Sequence, residues 1–176
     1  MGLAHGEAAF QPLDIAVLTV SDTRTLDDDR SGGLLAQAIA DAGHRLAGRE
    51  IVPDDVYRLR AVISAWIADP KVQAIVTTGG TGFTARDSTP EAVLPLLDKV
   101  MDGFGELFRA LSFQEIGTAT LESRAVAGIA NGTLIFCLPG SSGACRTGWE
   151  KIIGPQLDVR TPPCNLAAMF PRFLER

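Results

Sequence analysis

The sequence predicts an α/β fold in which a mainly parallel central sheet is flanked by helices. Short apolar, β-branched runs alternate with segments of helical periodicity along most of the chain, and this alternation is typical of parallel sheets. With 176 residues, of which 46% are hydrophobic, the chain has the length and composition of one globular domain. We expect a flexible tail over residues 1–12 and a single domain over residues 13–176.

The first half of the chain carries three predicted strands and two predicted helices. The strands are residues 15–20, 45–52 and 72–77. The first helix is predicted to begin after a cap at Ser31 and to end at Gly43, where glycine can adopt the left-handed conformation. The second helix is predicted to be capped by Asp54 or Asp55 and to end before Pro70.

The second half of the chain adds three predicted helices and one predicted strand. Thr89-Pro90-Glu91 has the order of a helix start, with a hydroxyl cap, proline at the first position and then an acid. Residues 133–138 are predicted to form a further buried strand. Apolar stripes mark two other helices: Phe104, Leu107, Phe108 and Leu111, then Cys145, Trp149, Ile152 and Ile153. The first of these stripes fits core or a subunit interface better than a ligand site.

Composition and charge argue against several classes of function. The net charge is -5, without a block of Lys or Arg, whereas nucleic-acid binders usually show a basic face. The apolar runs are far shorter than the roughly 20 residues of a membrane-spanning helix. Cys137, Cys145 and Cys164 have unmatched spacings, so we expect buried, reduced thiols. The sequence therefore predicts a cytoplasmic protein without nucleic-acid or membrane partners.

Four polar segments follow predicted strands, which is where an open α/β sheet binds its ligands. They are Ser21-Asp22, Asp54-Asp55, residues 78–87, which we call the glycine-rich loop, and residues 139–143, which we call the second loop. Because the carboxyl ends of parallel strands meet at one edge of a sheet, we expect these segments to form one cleft. Their glycines, hydroxyls and acids suit a phosphorylated ligand.

The glycine-rich loop is the strongest candidate for binding an anion. Five of its residues carry this prediction: Thr78, Gly79, Gly80, Thr81 and Gly82. Glycines allow positive φ and let backbone N–H groups approach a phosphate, and the threonine hydroxyls add donors. A turn needed only for packing is the structural alternative. Residues 80–85 also match a relaxed dinucleotide-binding pattern. In that pattern the helix begins within the motif, whereas here the next helix is predicted to begin only near Pro90, so a dinucleotide-dependent oxidoreductase is a weaker hypothesis.

Asp54 and Asp87 are candidates for positioning Mg²⁺ and substrate. Transfer between phosphates depends mainly on positioning and on a divalent ion that offsets their charge, and Mg²⁺ needs only one or two protein carboxylates. Asp54 could instead cap a helix, and Asp87 could instead belong to a buried ion pair. Arg86 could contact a phosphate or a structural partner.

The second loop is a candidate for another anion site. Gly140, Ser141 and Ser142 can present backbone N–H groups and two hydroxyls at the start of a helix. A capped helix without a ligand is the structural alternative.

Five motifs keep an order and spacing that resembles one family. They are Thr19-Val20-Ser21-Asp22, Val52-Pro53-Asp54, Thr78-Gly79-Gly80-Thr81-Gly82, Arg86-Asp87 with Thr89-Pro90-Glu91, and Leu138-Pro139-Gly140. Together they resemble the MoaB/MogA family of molybdopterin-binding proteins over residues 15–158. Residues 103–106 and 145–165 are more similar to the MoaB branch than to the MogA branch.

This resemblance implies a three-layer α/β sandwich that assembles as a trimer or hexamer, with other cofactor-assembly proteins as further partners. It also implies molybdopterin adenylylation with Mg²⁺ and ATP, or, as the alternative, a non-catalytic molybdopterin-binding or carrier protein of the same pathway. By the resemblance, Asp54 and Asp87 fall on acids needed for activity, and Ser21 falls in the nucleotide-side loop. The glycine-rich loop and the second loop fall on the family's ligand loops, although Ser142 stands where a proline is often found.

Overall fold

The computed structural model describes residues 8–175 of the chain. Its elements are β1 (Asp14–Val20), α1 (Arg30–Asp41), β2 (Arg45–Val52), α2 (Val56–Ala68), β3 (Ala74–Thr78), α3 (Thr89–Val93), β4 (Lys99–Val100), α4 (Asp102–Ile116), β5 (Val126–Ala130), β6 (Thr133–Leu138), α5 (Ser142–Gly148) and α6 (Gly154–Leu157). A π-helical segment, Trp149–Ile153, joins α5 to α6. The tail predicted over residues 1–12 falls largely on residues 1–7, which lie outside the described residues.

The strands form one six-stranded sheet in the order β2-β1-β3-β6-β5-β4. The pairs β1–β2, β1–β3 and β3–β6 are parallel, whereas β5–β6 and β4–β5 are antiparallel. The predicted, mainly parallel sheet is therefore confirmed. The sequence did not reveal β4 and β5, because β4 has two residues and β5 is rich in alanine and glycine.

Helices cover both faces of the sheet, so the α/β architecture has three layers. Alternate residues of β1 point to opposite faces, with Ile15 and Val17 in one core cluster and Ala16 and Leu18 in the other. The first cluster adds residues of α1, α4 and α5, among them Leu35, Phe104, Phe108 and Cys145. The second adds residues of α2 and α3, among them Leu59, Ile63, Ala92 and Val93. No helix among residues 8–175 is long and apolar enough to cross a membrane.

The cap of α1 differs from the prediction, whereas the cap of α2 is one of the two residues that the sequence offered. Asp29, and not Ser31, caps α1, since its carboxylate accepts a first-turn N–H at 3.0 Å and is held by the Thr19 hydroxyl at 2.7 Å. Asp55 caps α2 by accepting two backbone N–H groups. This second cap leaves the carboxylate of Asp54 for other contacts.

Four further local predictions are corrected by the structure. β3 begins at Ala74 instead of residue 72. Thr89 is the first residue of α3, and Ser88 occupies the cap position. The Thr89 hydroxyl does not cap the helix but donates to Gly79 O at 2.8 Å. Leu107 is exposed on α4 and does not belong to the buried stripe, and Cys164 is exposed while the other two thiols are buried.

Candidate functional site

The glycine-rich loop and the second loop lie against each other at the carboxyl edge of the sheet. The Gly79 N–H donates to Leu138 O at 3.0 Å, and the Thr78 hydroxyl donates to Pro139 O at 3.1 Å. A Cβ added to Gly140 would lie 3.3 Å from Gly79 Cα, so the two backbones are in contact. This follows from the pairing of β3 with β6, which are parallel neighbours. The two predicted ligand loops therefore form one continuous surface.

Gly79 and Gly80 are required by the backbone of the glycine-rich loop. Their φ angles are +103° and +66°, which lie in a region that residues with a side chain rarely adopt. A Cβ on Gly79 would collide with Val20 O, and one on Gly80 would collide with the Thr89 hydroxyl and lie 2.7 Å from Asp54 Oδ2. The loop backbone thus packs directly against the end of β1 and against a carboxylate.

Asp54 turns its carboxylate toward the glycine-rich loop. Its Oδ1 accepts the Ser88 N–H at 3.0 Å and also the Ser88 hydroxyl. Burial raises the pKa of Asp54 above its usual value, and the negative charges of Asp87 and Asp22 act in the same direction, while the Ser88 hydrogen bonds oppose them. A half-buried carboxylate with two acidic neighbours is a favourable place for a cation.

Asp87 closes a turn within the glycine-rich loop. Its Oδ2 accepts the Thr84 N–H at 2.8 Å and the Thr84 hydroxyl at 2.6 Å. The hydroxyl bond is the largest cause that lowers the pKa of Asp87. A Cβ added to Gly82 would lie 2.8 Å from Asp87 Oδ2, so this acid lies beside the loop glycines.

Arg86 pairs with Asp22 and not with Asp87. Its Nε donates to Asp22 Oδ2 at 3.1 Å, and its Nη2 donates to Asp22 Oδ1. Asp22 Oδ1 also accepts the Asp54 N–H at 3.1 Å. Both members of the ion pair are exposed, so the pair bridges the ends of β1 and β3 at the rim of the site. The structural partner of Arg86 is therefore Asp22. The hypothesis that Arg86 forms an ion pair with Asp87 is wrong.

Ser21 and the second loop meet at a small polar cavity of about 200 Å³. Its walls come from the ends of β1, β3 and β6 and from the start of α1, and they include Ser21, Arg24, Arg30, Thr78 and Gly140. The Ser141 hydroxyl accepts the Ala144 N–H at 3.1 Å and caps α5, as predicted. The structure thus brings the Ser21, glycine-rich and second-loop segments together.

The carboxylates fit Mg²⁺ better than a metal that needs a full cage of protein ligands. Within residues 8–175, no group of three or more His, Cys, Asp or Glu side chains could hold a metal ion. Both bonds from Ser88 go to Oδ1 of Asp54, and both bonds from Thr84 go to Oδ2 of Asp87. Oδ2 of Asp54 accepts neither of the Ser88 bonds and would remain for a cation, and Mg²⁺ needs only one or two such ligands besides water and phosphate.

Sequence reasoning missed two residues that shape this site, Ser88 and Arg124. Ser88 precedes α3 and bonds Asp54, while Arg124 donates to Gly82 O and Asp87 O, both at 2.8 Å. Neither lies in a motif that predicts these contacts. Each contact joins segments more than thirty residues apart, so it depends on the fold.

Comparisons with known proteins point to one family. A family model described as "Probable molybdopterin binding domain" matches residues 16–159. Molybdenum cofactor biosynthesis protein B of Escherichia coli K12 is 58% identical over 156 residues, which cover 89% of this chain and 92% of that protein. A crystal structure of Molybdenum cofactor biosynthesis protein B has a TM-score of 0.83 at 43% identity and covers 85% of this chain and 94% of its own. The tungsten cofactor synthesizing protein MoaB from Pyrococcus furiosus has a TM-score of 0.72 at 39% identity, with 82% and 92% covered.

Proposed function

Since the chain belongs to the MoaB branch of the molybdopterin-binding domain family, we propose that it adenylylates the terminal phosphate of molybdopterin with Mg-ATP. Family membership confirms the resemblance found in the sequence and assigns the protein to molybdenum cofactor biosynthesis. The observation that carries the adenylylation proposal is the contact between two loops suited to anions, with Asp54 directly beside Gly80.

The two loops divide the phosphates between them in this proposal. Backbone N–H groups and hydroxyls of the glycine-rich loop bind the ATP phosphates, with Ser21 on the nucleotide side and Arg86 as a further phosphate contact. The second loop binds the terminal phosphate of molybdopterin through Gly140 N–H and the two serines beside it. Ser142 supplies a hydroxyl where relatives often have a proline, which adds a donor to that phosphate site.

The reaction forms a bond from an oxygen of the molybdopterin phosphate to the α-phosphorus of ATP and breaks the bond from that phosphorus to pyrophosphate. The protein's part is to bind and align the two phosphates, because such transfers depend on positioning more than on proton movement. Asp54 and Asp87 would hold Mg²⁺, which supplies positive charge to the phosphates.

A direct assay tests this proposal. The protein is supplied with molybdopterin, Mg²⁺ and ATP, and adenylylated molybdopterin and pyrophosphate are measured. We expect product from the wild type, loss of product in Asp87→Asn, and unchanged product in the control Asp69→Asn. Asp69 is a matched control because it too accepts a backbone N–H, from Lys71 at 2.9 Å, but lies beyond α2 on the way into β3. Tight molybdopterin binding without product would remove the enzyme proposal.

A non-catalytic molybdopterin carrier is the second candidate. The bonds from Thr84 to Asp87 favour it, because they give this acid a structural role within its own loop. A carrier would bind molybdopterin equally well with Asn at position 87 and would not consume ATP. The dinucleotide hypothesis has less support, since α3 begins at Thr89 and not within residues 80–85.

We also propose that the protein acts as a cytoplasmic trimer or hexamer, with other cofactor-assembly proteins as partners. Exposed apolar side chains on α4 and the turn after it support self-association: Leu107, Phe113, Ile116 and Leu121. The molar mass in solution should be three or six times that of one chain. A monomer at micromolar concentration would contradict this part of the proposal.

A further inference from the structure

Arg124 is bonded to the glycine-rich loop at several points. Its Nε donates to Gly82 O and its Nη2 donates to Asp87 O, both at 2.8 Å, and its Nη1 donates to the carboxylate of Glu91 on α3. The backbone N–H of Arg124 donates to Thr81 O at 3.0 Å. Arg124, which lies just before β5, therefore bonds both the glycine-rich loop, at Thr81, Gly82 and Asp87, and the following helix α3, at Glu91.

These bonds fix the orientation of two peptide groups in the loop. Within a planar trans peptide the C=O and the N–H point in opposite directions. Because Arg124 binds the carbonyl oxygens of Thr81 and Gly82, the N–H groups of Gly82 and Phe83 point away from it. Arg124 thus occupies the side of the loop that presents these carbonyl oxygens, while on the other side the Gly82 N–H bonds the Asp87 carboxylate and helps to lower its pKa.

The surroundings of Arg124 hold its guanidinium in one orientation. Its side chain is only 25% exposed and forms an ion pair with Glu91. The Phe83 ring lies 5.3 Å from its Cζ, a distance suited to a cation–π contact. The planar guanidinium has five donors in a fixed fork, so it can serve three acceptors at once, whereas the ammonium of lysine is a compact point charge.

We propose that Arg124 is a positioning residue that holds the glycine-rich loop in the shape that binds nucleotide phosphates. It acts through the carbonyl groups of Gly82 and Asp87 and does not need to touch the substrate. This inference rests on the proposed adenylyl transfer at the same loop. Glu91 supports this role of Arg124 by orienting the guanidinium. The loss of kcat should therefore be largest in Arg124→Met, smaller in Arg124→Lys and smallest in Glu91→Gln.

Steady-state kinetics give the first readout. Misplacing reacting groups by about 1 Å can cost roughly 10²-fold in rate, so kcat should fall by about that factor in Arg124→Met. The KM for molybdopterin should stay unchanged, because the second loop has its own contacts. Arg124→Lys should recover part of the loss. The control is Arg45→Met, which removes a bidentate arginine–aspartate pair at the start of β1 and should leave kcat unchanged.

Amide hydrogen exchange separates positioning from general stability and does not require turnover. In Arg124→Met, the amides of Thr84, Asp87, Ser88 and Thr89 should exchange faster, while those of β1 and β3 keep their wild-type rates. Faster exchange across the whole sheet, or wild-type exchange together with wild-type kcat, would overturn the inference. If the wild type forms no product, the proposed reaction fails, and the loop exchange alone then decides whether Arg124 positions the loop.

Discussion

Asp54 Oδ2 lies 2.7 Å from the place where a Cβ of Gly80 would be, although the two residues follow different strands. β2 and β3 both pair in parallel with β1, which lies between them, and so deliver the acid and the glycine to the same edge of the sheet. The close approach explains why this loop position must be glycine. It also explains why Asp54 has a raised pKa, since the loop buries it next to Asp87 and Asp22.

Replacing Gly80 should damage both stability and function. In Gly80→Ala the left-handed backbone costs roughly 1–2 kcal/mol, and the new Cβ collides with the Thr89 hydroxyl and Asp54. We expect urea unfolding to show a loss of stability of at least that size, with no adenylyl transfer. The matched control is Gly103→Ala on α4, where a Cβ also meets nothing within 4 Å. If both variants behave alike, the close packing of Gly80 is not important.

Asp54→Asn should separate activity from stability. The raised pKa means that the folded protein holds this proton more tightly than the unfolded chain does. The stability from this group is therefore present at low pH and is lost as the pH rises through the folded-state pKa. At neutral pH the neutral Asn avoids that loss, so the melting temperature should be unchanged or higher while transfer is abolished.

Asp55, the residue after Asp54, should show the opposite pattern, with stability reduced and transfer retained. Asp55→Ala removes the cap of α2, so it should lower stability by about 1 kcal/mol and leave transfer intact. Thermal unfolding and the transfer assay on both variants check the pair. A large loss of stability in Asp54→Asn would show that this carboxylate serves the fold and not the ligand.

Ser88→Ala should shift the pH dependence of transfer. The Ser88 hydroxyl lowers the pKa of Asp54 against the larger, opposite effect of burial. Activity needs the ionised carboxylate, so it falls as the pH drops through the pKa of Asp54, and loss of the hydroxyl moves that fall to higher pH. Asp87 has a lowered pKa and stays ionised in this window. A profile of kcat/KM against pH that matches the control Ser64→Ala, an exposed serine on α2, would contradict this assignment.

Asp22→Asn should make Arg86 available to phosphate. The Arg86 guanidinium is held by Asp22, so a phosphate contact requires that pair to open. Asn keeps an acceptor for the Asp54 N–H but loses the charge. We expect a modest decrease in the KM for ATP that disappears in the double variant with Arg86→Met. An increase in KM would mean that the ion pair itself shapes the nucleotide site.

Much of the fold was predictable because buried strands and helices have recognisable patterns of apolar residues in the sequence. β2 and β6 begin and end where their sequence pattern does, and the left-handed Gly43 follows α1 as expected. β4 and β5 were not predictable, since two residues, or five residues rich in Ala and Gly, carry little periodicity. The edge of the sheet that holds the candidate site followed from the order of strands and loops alone.

The contacts within the site were less predictable than its location. Local signals identified Asp54 and the glycines as candidates. They did not show whether Asp54 caps α2 or faces the loop; the structure answers this, because Asp55 is the cap. Arg124 gave no signal at all, because its role depends on three acceptors from a distant part of the chain. Tertiary placement, and not residue type, gives such residues their function.

A crystal structure with Mg²⁺, a non-hydrolysable ATP analogue and molybdopterin tests the central claim most directly. We predict the nucleotide phosphates on the N–H groups of Gly80 and Thr81, the terminal phosphate of molybdopterin on the second loop, and the metal beside Asp54 and Asp87. Ligands bound away from the contact between the two loops, or both aspartates directed into bulk water with phosphates elsewhere, would contradict the account.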